Sequence, residues 1–308
     1  MRVVVVGLGV QGRKRTAIAG PEVVATVDPV LPDAGYRRIE DVPLDSYDAA
    51  LLCVPDDPKV ELLTFLLSNG KHALVEKPLL SVNDGDLTEL AALAASTGTV
   101  CYTAYNHRFE PHFMRMRELI QSGKLGKIYT VRMYYGNGTA AQVKASPWRD
   151  TGAGVLFDLG SHLLDTLSFW LGPIASPFRI ISASRFENLS FDNVTFGATG
   201  TPLLQLETSL LSWRNHFYAD VHAEKGSAHI SSLCKWGPST FTVRGRVLPS
   251  GRPDEESVTL VQADPTWALE YDHFKSLCAS GGASLQTDMW INSTLNSLGA
   301  AALSGEGQ

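Results

Sequence analysis

The first hundred residues alternate between short, continuous apolar runs and longer segments with helical spacing. Continuous runs rich in β-branched residues are typical of strands buried on both faces of a parallel sheet. The predicted strands are 3–6, 23–27, 49–55, 73–75 and 100–103, and the predicted helices between the later strands are 59–68 and 84–96, the second capped near Asn83. This alternation predicts a doubly wound α/β domain. Pro29 and Pro32 leave a crossover helix between the second and third strands in doubt.

The pattern changes after Tyr105. A helix is expected to stop at Gly123, and a strand to follow over 128–135. Short apolar or alternating segments then predict a mostly antiparallel sheet from 178–184, 194–198, 203–211, 217–224 and 257–261. Helices are expected over 267–278 and 289–302, with a frayed tail over 304–308. We therefore expect two domains, 1–120 and 121–308, the second of the α+β class.

One apolar helix, 155–171, carries ionisable groups on a single stripe. At about 100° per residue, Asp158, His162 and Asp165 fall within roughly 60° of one another, opposite a row of leucines. A solvated surface helix normally shows lysine, arginine and glutamate on its polar side, and histidine is the only cation here. The stripe is therefore expected to line a cleft. The alternative is a partly buried helix whose carboxylates bond to neighbouring groups of the protein.

Composition narrows the function classes. The chain has 308 residues, of which 44% are hydrophobic and 19% charged, an ordinary globular balance. Its four cysteines form no C-x-x-C pair, so neither a disulfide framework nor a structural zinc site is indicated. A net charge of -6 argues against nucleic acid and acidic membranes as partners. The absence of a long apolar run and of a secretory leader makes the cytoplasm the expected location.

A glycine-rich turn follows the first predicted strand at once. Gly7-Leu8-Gly9-Val10-Gln11-Gly12 is a G-x-G-x-x-G sequence, whose glycines permit a tight turn, the approach of a pyrophosphate and close helix packing. The second strand ends in Asp28, where this fingerprint places an acid on the ribose hydroxyls. That acid would repel a 2′-phosphate and favours NAD. NADP stays open, because Arg13 or Arg37 could bind the phosphate.

Four motifs occur in an order that resembles one family across nearly the whole chain, the Gfo/Idh/MocA (glucose-fructose oxidoreductase and inositol dehydrogenase) family. They are the glycine turn, Glu76-Lys77-Pro78 after strand four, Asn106-x-Arg108-Phe109 after strand five, and Trp148-Arg149 leading into G-x-G-x-x-x-D-x-G-x-H-x-x-D from Gly152 to Asp165. The resemblance implies an N-terminal Rossmann domain and a C-terminal α+β domain. It also implies a nicotinamide-dependent oxidoreductase of sugars or polyols that forms homodimers or homotetramers through an open sheet face.

The resemblance also assigns residues. It implies that Lys77, Asp158 and His162 are catalytic and that the Lys77–Pro78 bond is cis. Cofactor contacts are expected from Gly7, Gly9, Val10, Gln11, Gly12, Asp28, Pro55, Glu76 and Lys77. Substrate contacts are expected from Asn106, Arg108, Trp148, Arg149, Asp158 and His162. After strand three, many members have Thr-Pro followed shortly by His, whereas this chain has Val54-Pro55 followed by Asp56-Asp57-Pro58-Lys59. Cofactor contacts there are therefore less well defined.

The reaction needs residues of these types. Moving a hydride from a secondary alcohol to nicotinamide requires a base for the hydroxyl proton and a cation near the developing alkoxide. Histidine titrates near neutrality, so His162 is the expected base, and Lys77 is expected to stabilise the oxygen. Asp158 lies one helical turn before His162 and can bind substrate or orient the other two. Asp165 is expected to anchor the helix to its neighbours.

Two alternatives remain open from the residues alone. Asp158 and His162 at i, i+4 could be metal ligands, although no H-E-x-x-H sequence or third ligand is evident, so no metal is expected. The chain could also be a nicotinamide-binding sensor or regulator that keeps the fold without turnover. Retention of Lys77, Asp158 and His162 argues for an enzyme, because a protein without turnover would be free to lose them.

Overall fold

The computed structural model describes residues 1–83 and 85–305 of the chain. It divides into two units. The first comprises Met1–Asn106 and Pro265–Ser293, and the second comprises His107–Asp264 and the residues from Thr294 onward. Asp84, at which the helix over 84–96 was predicted to begin, and the end of the predicted tail, 306–308, lie outside the described residues.

The first unit is built on a five-stranded parallel sheet, as predicted. Its strands are β1 (Val3–Val6), β2 (Val23–Val27), β3 (Ala49–Leu52), β4 (His72–Glu76) and β5 (Cys101–Ala104), in the order β2-β1-β3-β4-β5. Its helices are α1 (Val10–Ala19), α2 (Lys59–Ser68) and α3 (Asp86–Thr97). Both faces are covered, because Val4 and Val6 pack in one apolar cluster while Val3 and Val5 pack in another. Burial on both faces explains the unbroken run of valines.

The segment between β2 and β3 contains no α-helix over the described residues 28–48, in line with the doubt raised by its prolines. Two 3₁₀ turns, Ile39–Asp41 and Leu44–Ser46, stand there instead. They bury Ile39 and Val42 against the same apolar cluster as Val4. Short turns can therefore cover this part of the sheet without a crossover helix.

The second unit contains an eight-stranded sheet in the order β13-β12-β11-β10-β6-β9-β8-β7, in which only β6 and β9 pair in parallel. Its strands are β6 (Ile128–Gly136), β7 (Phe178–Ser184), β8 (Asn193–Ala198), β9 (Leu203–Ser209), β10 (His216–Ala223), β11 (Gly226–Ser231), β12 (Ser239–Gly245) and β13 (Glu255–Leu260). Sequence analysis gave no bounds for β11 and β12. Small and polar residues alternate with few large apolar ones in these strands, so their register depends on pairing with β10 and β13.

The remaining helices over the described residues are α4 (Pro111–Gln121), α5 (Ala140–Lys144), α6 (Val155–Leu171), α7 (Thr266–Ser280) and α8 (Gln286–Ser304). The leucines of α6 are buried as predicted. Its polar stripe is also largely buried, because His162 is 6% exposed and Asp165 is 1% exposed. No described helix has the length and hydrophobicity needed to span a bilayer. The homodimer or homotetramer and the cytoplasmic location stay predictions.

The division of the chain differs from the predicted boundary at residue 120. Helix α4 packs within the second unit, where the Phe113 ring lies 5.3 Å from Trp170 and 5.0 Å from Phe217. Helix α7 returns to the first unit, where Tyr271 and Phe274 join the apolar cluster that contains Val3 and Val5. These contacts join residues far apart in sequence, and no change of composition marks them.

Candidate active site

The glycine turn forms a backbone cradle at the end of β1. Gly7 has a φ of +86°, and a Cβ on it would lie 2.4 Å from the carbonyl oxygen of Cys53. A Cβ on Gly12 would lie 1.8 Å from the carbonyl oxygen of Gly7, so α1 packs too closely for any side chain. A Cβ on Gly9 would meet no atom within 4 Å. The open side of the cradle is therefore at Gly9, where a pyrophosphate can approach the N–H groups that begin α1.

The other two residues of this turn that are expected to contact cofactor, Val10 and Gln11, lie at the surface. Val10 is 84% exposed and Gln11 is exposed, both in the first turn of α1. An exposed valine beside an open backbone cradle fits a surface that a dinucleotide covers. Contact of these five residues with the cofactor stays a prediction.

Gly9→Ala and Gly12→Ala are expected to fail in different ways. Gly9 has φ -63° and ψ -165°, which alanine can adopt, and its Cβ would point into the open cradle. We expect Gly9→Ala to keep the fold and to lose about tenfold or more in dinucleotide affinity. Gly12→Ala should lower the thermal stability as well, because its Cβ meets backbone. Calorimetric titration with NAD and thermal unfolding of both variants check this. Unchanged affinity in Gly9→Ala would contradict the cradle assignment.

Asp28 is held at the end of β2 by backbone donors. Its Oδ2 accepts the N–H of Leu8 at 2.8 Å, and its Oδ1 accepts those of Val30 and Leu31 at 2.9 Å. Burial alone would raise the pKa of Asp28, but these three donors and the charge of Arg37 hold the pKa below its usual value. The carboxylate is therefore a fixed negative charge beside the glycine turn.

The two arginines considered for a 2′-phosphate have partners within the protein. Arg13 forms an exposed ion pair with Asp33 at 3.0 Å. Arg37 donates to the carbonyl oxygens of Leu31 at 2.7 Å and Asp28 at 3.3 Å. These contacts hold the loop after β2.

Pro55 follows β3 and is exposed at the carboxyl end of the parallel strands. Lys59, the first residue of α2, is 1% exposed and donates to Asp56 Oδ1 at 2.7 Å and to the carbonyl oxygen of Pro78 at 2.6 Å. Burial lowers the pKa of Lys59, an effect that Asp56 opposes and the charge of Lys77 reinforces. Lys59 thereby ties the loop after β3 to the loop after β4.

Lys77 is half-buried directly after β4, and the Lys77–Pro78 bond is cis, as the family resemblance implies. Glu76 ends the strand and pairs with Arg15, whose Nη2 lies 2.7 Å from Glu76 Oε1 and 2.6 Å from Glu270 Oε2. Arg15 also lies over the Trp267 ring. The predicted cofactor residue Glu76 is therefore engaged with a buried arginine, and its contact with cofactor stays a prediction.

Asn106 is buried and is the last residue of the range Met1–Asn106 in the first unit. Its amide donates to the hydroxyl oxygen of Thr266 at 2.8 Å. The bond links the loop after β5 to the start of α7, so this side chain has a structural contact in addition to its predicted role with substrate.

In the second unit, His162 lies in a cluster of rings. The ring of His107 stacks on it with centroids 4.1 Å apart, and the ring of Tyr135 meets it edge-on at 5.7 Å. Asp158 is half-buried one turn earlier on α6. The helix therefore presents an acid and an imidazole together, as the spacing predicts.

Asp165 anchors α6 through an ion pair with Arg108, in agreement with the expectation for Asp165. Both carboxylate oxygens accept hydrogen bonds from the guanidinium. Burial raises the pKa of Asp165 and Arg108 opposes that rise. Arg108 is predicted to bind substrate, but its Nε and Nη2 donate hydrogen bonds to Asp165. A substrate contact would use the part of the guanidinium that remains accessible.

Trp148 and Arg149 lie in the segment before α6. Trp148 is 71% exposed and Arg149 is half-buried. The neighbouring Asp150 is buried and accepts bonds from the N–H and the hydroxyl of Ser190, which hold this segment in place. An exposed indole on a held segment is compatible with ligand contact, which stays a prediction for both residues.

The structure thus gathers the predicted cofactor residues on one edge of the first sheet and the pair Asp158 and His162 on one helix of the second unit. Lys77 belongs to the first unit, so its action with that pair stays a prediction. Among the described residues, no group of three or more histidine, cysteine, aspartate or glutamate side chains is placed to hold a metal ion.

Sequence reasoning missed several residues around these sites. Arg15, Lys59 and Glu270 hold the loops of the first unit, His107 stacks on His162, and Lys235 contacts His107. His107 stands inside the Asn106-x-Arg108-Phe109 motif, which was the available signal. No signal in the sequence marks Lys235, because it lies between β11 and β12, for which no bounds were predicted.

Two family models match the chain. One is described as an oxidoreductase family with an NAD-binding Rossmann fold and matches residues 1–105; the other is the Gfo/Idh/MocA C-terminal domain and matches residues 113–229. The scyllo-inositol 2-dehydrogenase (NAD⁺) of Bacillus subtilis is 24% identical over 96% of this chain and 91% of that enzyme. The trans-1,2-dihydrobenzene-1,2-diol dehydrogenase of Mus musculus is 28% identical, but the match spans 58% of this chain and only 53% of that enzyme.

Solved structures agree in fold. A levoglucosan dehydrogenase in complex with NADH superposes with a TM-score of 0.82 at 17% identity, covering 99% of this chain and 97% of that chain. The UDP-N-acetylglucosamine 3-dehydrogenase of Acidithiobacillus ferrooxidans has a TM-score of 0.81 at 17% identity, covering 100% and 99%. At these identities the likeness shows the fold alone. With the two family models and the motif residues in their expected elements, the chain belongs to the Gfo/Idh/MocA family of NAD-binding oxidoreductases.

Proposed function

We propose that this protein is an NAD-dependent dehydrogenase that oxidises a secondary hydroxyl of a sugar, sugar nucleotide or polyol, or reduces the matching ketone. The observation that carries the proposal is the shared sheet edge in the first unit. β1 ends in the glycine cradle, and Lys77 follows β4 of the same parallel sheet. Ligands of such sheets bind beyond the carboxyl ends of the strands. A cation therefore stands on the edge at which the dinucleotide would lie.

The residues of this chain account for the proton and the charge. Bound NAD supplies an acceptor for the hydride that leaves the carbinol carbon. In the proposed step, His162 accepts the hydroxyl proton, and the ammonium of Lys77 stabilises the negative charge that develops on the oxygen as it becomes a carbonyl oxygen. Asp158 is proposed to accept a hydrogen bond from substrate or to orient His162. In the reverse direction, imidazolium returns the proton.

The substrate class rests on similarity. Among the proteins to which the chain is similar are dehydrogenases named for inositol, a dihydrodiol, levoglucosan and a UDP-sugar. The compounds in these names all contain a ring that carries hydroxyl groups. We propose a substrate of that kind.

NAD is expected to bind at least tenfold more tightly than NADP. Asp28 is a fixed anion beside the glycine turn and would repel a 2′-phosphate, while Arg13 and Arg37 are bound to the protein. Calorimetric titration with each dinucleotide checks the ratio. Equal or tighter binding of NADP would show that an arginine leaves its partner to bind the phosphate.

Turnover decides between an enzyme and a sensor. Purified protein would be incubated with NAD or NADP and a panel of inositols, sugars, anhydrosugars and sugar nucleotides while nicotinamide fluorescence is followed. We expect reduction of NAD with at least one compound, with production of the ketone confirmed by mass spectrometry. Tight dinucleotide binding without turnover on any member of the panel would favour the sensor.

A further inference from the structure

Within the second unit, His107 stacks on His162 and Lys235 contacts His107, and the proposed mechanism uses neither residue. The ring of His107 lies almost parallel to that of His162, with centroids 4.1 Å apart and planes inclined by 20°. Both histidines are buried, with exposures of 2% and 6%. Two imidazoles at this distance cannot both be protonated without strong repulsion, so the charge of one bears directly on the other.

Lys235 determines the form of His107. Its Nζ lies 3.1 Å from Nε2 of His107. An ammonium group can only donate hydrogen bonds, so Nε2 must accept, and the single ring proton of His107 belongs on Nδ1. A charged Lys235 at this distance therefore favours the neutral form of the His107 ring. A neutral His107 leaves His162 as the member of the stack that can take up a proton.

The segment that carries Lys235 is held in place by a buried acid. The N–H of Cys234 donates to Glu110 Oε1 at 2.6 Å, and its thiol donates to Glu110 Oε2 at 3.0 Å. Burial raises the pKa of Glu110, which these bonds and the charge of Lys235 oppose. The side chain of Lys235 also lies over the Trp236 ring. The contacts of Cys234 and of the Trp236 ring therefore hold the ammonium group of Lys235 in place.

Other ionisable groups of this unit lie near His162 or on its helix. Tyr135 meets its ring edge-on, and burial raises the pKa of that phenol. Asp158 lies one turn before it on α6. Arg108 is paired with Asp165, about one turn after it. The stack therefore has carboxylates on its own helix and one lysine that acts through His107.

We propose that His107 and Lys235 are positioning residues for His162: the stack fixes the plane of the His162 ring, and the ammonium of Lys235 keeps His107 neutral and opposes early protonation of the pair. This inference rests on the proposed function of His162 as the base. Its consequence is that the base stays competent to a lower pH than it would without the lysine.

Lys235→Met tests the proposal, because methionine keeps the length of the side chain but removes the charge and the donor. We expect the acid limb of the kcat/KM profile to move to higher pH by about one unit, with kcat on the alkaline plateau near that of the unmodified protein. Lys235→Arg should keep the original limb. Lys225→Met, which removes an exposed lysine of the same unit, is the matched control and should not shift it. A merely structural role would lower kcat equally at all pH values.

Nuclear magnetic resonance gives a readout that does not require turnover. The C2–H signal of His107, assigned with His107→Phe, should not titrate between about pH 5 and 8 in the unmodified protein and should titrate in Lys235→Met. If turnover is found but neither the limb nor this signal responds to Lys235→Met, the inference is wrong and the proposed function stands. If no compound turns over, the titration still decides the inference. Should Lys235→Met fail to fold, titration of His107 in the unmodified protein overturns it by itself.

Discussion

His162→Ala is expected to lower kcat by about 10²- to 10⁴-fold on whichever substrate the panel identifies, because a positioned general base contributes a factor of that size. Lys77→Met should lower kcat at least as far, since it removes the cation that is proposed to stabilise the developing alkoxide. KM for NAD should change little in His162→Ala, because His162 is not among the residues expected to contact the cofactor. Steady-state kinetics with both substrates varied measures these effects.

His222→Ala is the matched control for the loss of a histidine. His222 is exposed on β10, and its ring packs against that of His229. Its removal should leave kcat within about twofold, the range that an exposed substitution remote from the chemistry produces. A His162→Ala variant that keeps most of the activity while remaining folded would show that another group takes the proton, and the mechanism would have to be assigned anew.

Arg15→Met is expected to lower the free energy of unfolding of the first unit by about 3–5 kcal/mol, because it leaves buried carboxylates without their cation. Arg15 is 1% exposed and contacts both Glu76 and Glu270. Burial disfavours its charged form, but the two carboxylates raise the pKa of the guanidinium above its usual value. Urea denaturation followed by circular dichroism, with hydrogen exchange to assign the transition to the first unit, measures the loss.

Two variants make this measurement specific. Arg13→Met removes a neighbouring arginine of the same helix whose pair with Asp33 is exposed, and it should cost about 0–1 kcal/mol. Arg15→Met combined with Glu270→Met should recover part of the loss, because a buried charge is removed together with its partner. If Arg15→Met proved as stable as Arg13→Met, the buried network would not be what holds α7 to α1.

The parallel sheet and the cradle could be predicted because their signals are local. Four consecutive valines read as a doubly buried strand, and Gly7 and Gly12 stand where a Cβ would overlap backbone. The spacing of Asp158 and His162 likewise follows from the helical repeat. The two missed strands, β11 and β12, lack such a signal, because their polar residues become strand only by pairing with neighbours.

Contacts between distant residues could not be read in the same way. The pairing of Arg108 with Asp165 joins the loop after β5 to the middle of α6, 57 positions away. The contact of His107 with Lys235 spans 128 positions. Each partner alone resembles an ordinary surface charge or an unassigned ring, and only the folded arrangement shows which group it contacts.

By itself, the amino-acid sequence determined the fold class, the family, the glycine cradle and the residue types of the proposed catalytic group, because each depends on spacing over a few turns or a single strand. The tertiary structure decided where the units divide, that Glu76 and Asp165 are paired with arginines, and that the His107 ring stacks on that of His162. These depend on packing between segments distant in the chain, whose free energy is shared among many contacts and is encoded in no local pattern.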